Sequence, residues 1–171
     1  DFGKSYAYNQ SVVELIKERI PNTLVITLTS LLIALVLGMI VGIVSAVRQY
    51  SILDYIFMVL ALVGVSMPIF WLGLMLVLVF SVNLGWLPAM GMGSMANGLW
   101  DVISHMILPC FCLSTIPMAT FARITRSSML EVVNGDYVKA LRARGLKEGV
   151  VIWKHALKNA LPPIVTVLGL Q

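Results

Sequence analysis

The sequence predicts an all-α protein, a polytopic bundle of membrane helices, and three observations carry that prediction. Hydrophobic residues make up 59% of the 171, charged residues only 12%, and mean hydropathy is +0.93. A soluble domain is about 45–50% apolar and about 25% charged, so an ordinary cytosolic enzyme, a disordered chain and a collagenous repeat are excluded. Charges are also absent from whole blocks, namely 20–47, 55–100, 102–122 and 159–171. The basic residues that remain fall mostly between these blocks on one side.

Residues 1–21 come first, with Val12, Leu15, Ile16 and Ile20 at helical spacing and Pro21 closing the run. The pattern predicts a short amphipathic helix at the membrane surface, with an ordered loop as the open alternative. A signal peptide is disfavoured by the six charges of this stretch and the missing small-residue cleavage pattern. About 20 apolar residues cross a bilayer core, because each helical residue rises 1.5 Å through about 30 Å of hydrocarbon. The first crossing is therefore expected from Asn22 to Val47. A second runs from Asp54 to Val82 and stops where Gly and Pro accumulate, from Asn83 through Gly98. The third spans Val102 to Thr125 and includes Pro109 and Pro117, which membrane helices tolerate. A fourth starts near Ala156 with only about 15 residues left, about 22 Å of rise. The sequence is thus expected to be a piece of a longer chain.

Alternating crossings put 1–21 and 83–101 on one side, 48–54 and 123–158 on the other. The first side holds three basic residues against four acids, the second nine against four. Lys and Arg mark the cytoplasmic side, so the start of the chain is expected outside, with Trp86 and Trp100 as interfacial anchors.

The segment Arg123–Pro163 is long for a connector. Asn134-Gly135 reads as a turn and Asp136 as a helix N-cap. A short helix, Tyr137–Arg144, then carries Tyr137, Ala140, Leu141 and Arg144 on one side, and Gly145 stands at a C-cap position. A second helix starts at Leu146. Periodicity alone leaves two roles open: docking of an apolar side into a partner's groove, or anchoring to anionic lipid. Nucleic-acid binding is disfavoured, since the basic residues belong to a membrane-adjacent loop.

Residues Asp136, Tyr137, Val138, Arg142, Ala143, Gly145 and Leu146, then Lys154, His155, Ala156, Leu157, Asn159, Ala160, Leu161 and Pro163, carry a resemblance. Their order is similar to the cytoplasmic signature of permease subunits of binding-protein-dependent ABC importers, closest to the dipeptide, oligopeptide and nickel branch. Landmarks upstream agree in order: Asp1–Ser5, Glu18–Leu24, Val65–Trp71 and Gly85–Pro88. Against the broader signature E-A-A-x-x-x-G, Lys139 and Leu141 replace the Glu and the second Ala, while Ala140 and Gly145 are kept. Likewise His155 and Lys158 stand where the later I-x-L-P motif has Ile and Pro, as is typical of the peptide branch.

The resemblance implies the transmembrane domain of a type I ABC importer over 22–171, after an extracytoplasmic segment 1–21. It implies a coupling loop over 126–155 that seats on a cytoplasmic ATPase, with Asp136, Tyr137, Ala140, Arg142, Ala143, Gly145 and Leu146 as its contact segment. Gly145 would turn the chain, and Ala140 and Ala143 would allow close approach. The implied partners are a second homologous permease subunit, cytoplasmic ATP-binding subunits, an extracytoplasmic solute-binding protein and lipid. The subunit itself would be no enzyme and would bind no cofactor directly, ATP being held by the partner. A bacterial or archaeal cytoplasmic membrane is the implied location. The cargo, whether dipeptide, longer peptide, nickel or another small solute, stays open.

Other motifs read more plainly. Asp1-Phe2-Gly3 and Gly3-Lys4-Ser5 lack the context of a kinase or a P-loop. Cys110 and Cys112 read as small hydrophobes, with His105 the only metal-ligand candidate nearby. His155 reads as a capping or headgroup-facing residue, Asp54 as a carboxylate at a helix start. Met90, Met92 and Met95 read as flexible packing, and Gly38, Gly42, Ser66 and Gly73 as helix-packing residues. The competing function is a secondary transporter or channel, a class that usually places ionisable residues within its spans.

Overall fold

The computed structural model describes residues 2–171; Asp1, one of the acids counted above, lies outside the described residues. Helices make up the described fold, and the one β feature among these residues is an isolated bridge between Lys4 and Ser11.

Helix α1 runs from Val12 to Val47, 36 residues without interruption. The separate surface helix expected to end at Pro21 is therefore not separate. Proline removes one N–H and crowds the carbonyl four residues back, that of Lys17. Lys17 is exposed, so its carbonyl can turn to solvent and the helix continues through the proline.

The second expected helix is broken. Helix α2 spans Ile52–Ser66 and helix α3 spans Ile69–Leu76, continued by a π-helical stretch at Val77–Asn83. The chain bends by 102° between the two arms. Pro68 is the cause, because the residue before a proline is pushed out of the helical region. Met67 is extended at φ −77°, ψ 133°, and Pro68 follows at φ −61°, ψ 127°.

Helix α4, Leu99–Val133, is straight enough in sequence to keep Pro109 and Pro117 inside it, as expected. Its contacts show where the broken arms lead. Asp54 meets Arg126, Gly64 lies against Thr115, the Cys112 thiol donates to the Ile69 carbonyl at 3.4 Å, and the Ser94 N–H donates to Asp101 at 2.8 Å. The partner positions fall steadily from 126 to 101. Helix α2 thus runs antiparallel to α4, α3 starts beside Cys112, and the loop that follows reaches the first turn of α4 at Ser94.

Helix α1 runs parallel to α4, since Gly38 packs on Met118 and Phe121, and Gly42 on Ala122 and Thr125. A Cβ on Gly42 would stand 2.5 Å from the Thr125 Cβ and 2.6 Å from the Ala122 carbonyl oxygen. Only a glycine permits that approach, the small-residue contact by which membrane helices pack. Gly73 has the ordinary contact of a Cβ, 3.5 Å from Cys112 Sγ, and Ser66 is exposed, its hydroxyl donating to Leu62.

After α4 come helix α5, Asp136–Ala143, helix α6, Glu148–Val150, a π-helical stretch Val151–Ala156 and helix α7, Leu157–Leu168. The second helix of the loop therefore starts at Glu148 rather than Leu146. Ala34, Phe121 and Ile164 share one buried cluster, so α7 packs between α1 and α4 and returns toward the end where both begin. Two helices, α1 and α4, are long and apolar enough to cross a membrane, and the broken pair makes a third if taken as one span.

Candidate functional site

The end at which α1 and α4 finish and α2 and α7 start gathers the loops 48–51 and 134–147. A second buried cluster lies under the longer loop. It joins Ile43 and Ala46 of α1, Met129 of α4, Val138 and Leu141 of α5, Val151, Ile152 and Ala156 of the π stretch, and Ala160 of α7. Met129, Val138, Val151 and Ala156 are wholly buried. Helix α5 is thus packed on α4 and the π stretch, and the same cluster extends from them to α1 and α7.

The face it uses differs from the expected one. Val138 and Leu141 point inward, whereas Tyr137, Ala140 and Arg144 are exposed. Only Leu141 of the four grouped by spacing is buried. A spacing of three joins Val138 to Leu141, and Leu146 extends the same apolar line beyond the helix. The exposed side is then a small-residue and charged one: Asp136, Tyr137, Lys139, Ala140, Arg142, Ala143 and Arg144.

Asp136 is not the N-cap. Gly135 occupies that position, and Asp136, the first helical residue, pairs with Lys139 at 2.9 Å. A carboxylate in the first turn still favours the positive end of the helix.

At the other end the reading of Gly145 holds. Its φ is +78°, the Gly145 N–H donates to the Arg142 carbonyl at 2.9 Å, and the Leu146 N–H donates to the Leu141 carbonyl at 3.4 Å. Those two bonds, with Leu146 beside Leu141 in the buried cluster, form a Schellman termination. The left-handed conformation is what lets the chain leave α5 and enter α6 within four residues.

Arg142 holds this turn. Its Nη2 and Nε donate to Glu148 at 2.6 and 3.1 Å, and its Nη1 donates to the Val133 carbonyl at the end of α4 at 3.4 Å. One guanidinium thereby ties α4, α5 and α6. The paired hydrogen bonds hold the Glu148 carboxyl below the usual carboxylate range and raise the Arg142 guanidinium further. Tyr137 adds a second tie, its hydroxyl 3.0 Å from His155 Nδ1 with the rings edge to face. His155 therefore braces α5 against the π stretch rather than facing outward alone.

A third feature at this end was not foreseen. Asp54 is 1% exposed and receives Arg126 Nε and Nη2, each at 2.7 Å. It also accepts the Tyr50 N–H at 3.1 Å, while the Ser51 hydroxyl accepts the Asp54 N–H at 3.3 Å. Ser51-Ile-Leu-Asp54 is a capping-box pattern, so the sequence did signal the cap. Nothing in it signalled Arg126, 72 residues away. Asp54 does sit at a helix start, but its main partner is a cation.

The remaining candidates are dispersed. Cys110 is buried and Cys112 half-buried, both free. His105 Nδ1 lies 2.7 Å from the Asp101 carbonyl oxygen. Among the described residues no three His, Cys, Asp or Glu side chains gather as a metal site. Met90, Met92 and Met95 are exposed in the loop before α4 instead of packed, with Met90 and Met92 on the rim of a cleft of about 510 Å³.

Residues 38–171 match the family described as the inner membrane component of binding-protein-dependent transport systems. Over its whole length the chain is 46% identical to a dipeptide transport system permease protein of Alkalihalophilus pseudofirmus. It is 45% identical to an oligopeptide transport system permease protein of Bacillus subtilis, and 38% identical to a di/tripeptide permease protein of Pseudomonas aeruginosa, again over all of the chain. The chain spans 55–57% of the length of these relatives.

Proposed function

The chain belongs to the family of inner membrane components of binding-protein-dependent transport systems, and on that premise we propose that it is part of the permease subunit of an ATP-driven peptide importer. In this reading its helices line the translocation path together with a second, homologous subunit. Cytoplasmic ATP-binding subunits supply the energy and an extracytoplasmic protein delivers the peptide. The chain binds no ATP itself, and its contribution is mechanical. The names of the relatives, with dipeptide, di/tripeptide and oligopeptide transport in them, support peptides over nickel as cargo.

The observation that carries the coupling role is the seating of α5. Its inner face shares one packed cluster with α1, α4 and the helix leading to α7, and its outer face is left free. Packed interiors compress little and move as bodies. A push on the outer face of α5 is therefore delivered to the ends of three long helices together. The excess of Lys and Arg at this end supports a cytoplasmic location for it. A self-contained transporter draws less support, because the one buried carboxylate among the described residues, Asp54, is closed by a bidentate arginine.

Replacing Gly145 by valine in the full-length permease tests the reading. Peptide uptake is expected to be lost while membrane insertion and yield are kept, and uptake at the normal rate would overturn the coupling role of this segment.

A further inference from the structure

We propose that Asp54 and Arg126 are positioning residues that form a second mechanical link, carrying movement of α4 into the α1–α2 turn and the broken span behind it. The link deepens the proposed importer function and rests on it.

Few residues of helix α2 are buried, and the pair is its one charged tie to α4. Of its fifteen residues only Asp54 and Ala61 are buried, and α3 and its π-helical continuation bury none. The carboxylate at the start of α2 is nevertheless 99% removed from solvent and held by two hydrogen bonds of 2.7 Å from one guanidinium. A planar fork meeting a carboxylate on both oxygens fixes orientation as well as distance, which a lysine does not do. The same carboxylate holds the turn before it. Tyr50 takes a left-handed φ of +61°, and its N–H is directed to Asp54 Oδ2. Arg126 stands about two turns before the end of α4, which continues without a break to Val133 and is joined to α5 by Asn134, Gly135 and the Arg142 bond to the Val133 carbonyl. Movement entering at α5 reaches Arg126 along that helix, and Arg126 grips the α1–α2 turn. At the far end of α2, the bend at Met67–Pro68 leaves α3 free to respond as a separate arm.

Removing one partner strands a buried charge, so single variants confuse stability with coupling. The test therefore uses Asp54→Asn/Arg126→Gln, which removes both charges, in the complete transporter in proteoliposomes with its ATPase and binding protein. Thermal stability and ATP hydrolysis are expected within about twofold of the unaltered transporter, with peptide carried per ATP reduced at least about fivefold. An unchanged ratio of peptide to ATP would overturn the link. A second measurement needs no loss of the pair. Spin labels at Arg48→Cys and Arg123→Cys, both exposed, are placed in a Cys110→Ala/Cys112→Ala background. Their distance should stay constant between the nucleotide-free and ATP-trapped states, because the turn rides on α4. A change of several ångströms between those states would overturn the proposal even if the double variant does not fold. Absence of ATP-driven uptake by the unaltered transporter would instead refute the importer function itself, a separate outcome.

Discussion

Gly145 has nothing within 4 Å of the place a Cβ would occupy, so any cost of substitution there is conformational and not steric crowding. A left-handed backbone costs a residue with a Cβ about 1–2 kcal/mol, and a β-branched side chain more. That is enough to unwind a short Schellman turn while leaving membrane helices intact, which is why valine at 145 separates coupling from insertion. Thr125 is the opposite case. It is fully buried against Gly42, and its hydroxyl finds no partner in the structure. A buried unpaired hydroxyl costs about 1–3 kcal/mol, so Thr125→Val, which keeps the shape, should leave stability unchanged or raise the melting temperature. A clear drop in melting temperature would show that this hydroxyl is satisfied in the membrane. The positive φ at Gly145 could be read from sequence because glycine is the residue that most often ends a helix in the left-handed region. The burial of Asp54 could not, because its partner is distant in sequence and both residues occupy positions that also suit solvated charges.

Among elements, α5 was legible in extent but not in orientation. Four turn and cap residues frame it, yet eight residues carry too few apolar positions to fix a face by spacing, and the cluster under it settles the choice for Val138 and Leu141. The break of the second span could have been read from Met67-Pro68, but a long apolar run outweighs one proline when helices are placed by hydropathy. Pro21, Pro109 and Pro117 show why a proline by itself does not decide: each lies inside a continuous helix. The clamp between α5 and α6 has a pH dependence whose sign follows from its chemistry. Arg142 depresses the Glu148 carboxyl, so the tie is present above the ordinary glutamate range and is lost as pH falls through the lowered value. Both side chains are over a third exposed, which limits the pair to about 0.2–1 kcal/mol. Protection factors of the α5 amides, taken against the intrinsic exchange rate at each pH, should therefore fall in acid by a few fold at most, and Glu148→Gln should show the faster exchange already at neutral pH. Equal rates in the two proteins at neutral pH would remove Arg142 from the role assigned to it.

At the scale of the molecule, composition announced a membrane protein, and the length and order of its uncharged blocks announced helices with loops at two ends. The structure agrees on that grouping: the turn after α1 and the segment after α4 meet at one end, with the loop before α4 at the other. What the pattern could not show is that this end forms a single packed block, in which the coupling segment, the ends of α1 and α4 and the start of α7 share their side chains. In the proposed importer, that arrangement makes the basic loop a lever. The two roles left open by periodicity, partner docking and lipid anchoring, differ in what touches the outer face of α5. A photo-crosslinking residue at Ala140 or Ala143 in the full-length transporter, with Leu32, exposed near the middle of α1, as a control, reads that contact directly. Crosslinks from both α5 positions to the ATP-binding subunit, with none from Leu32, are expected. Crosslinks to lipid alone from Ala140 and Ala143, in a complex that still hydrolyses ATP and takes up peptide, would contradict the coupling role.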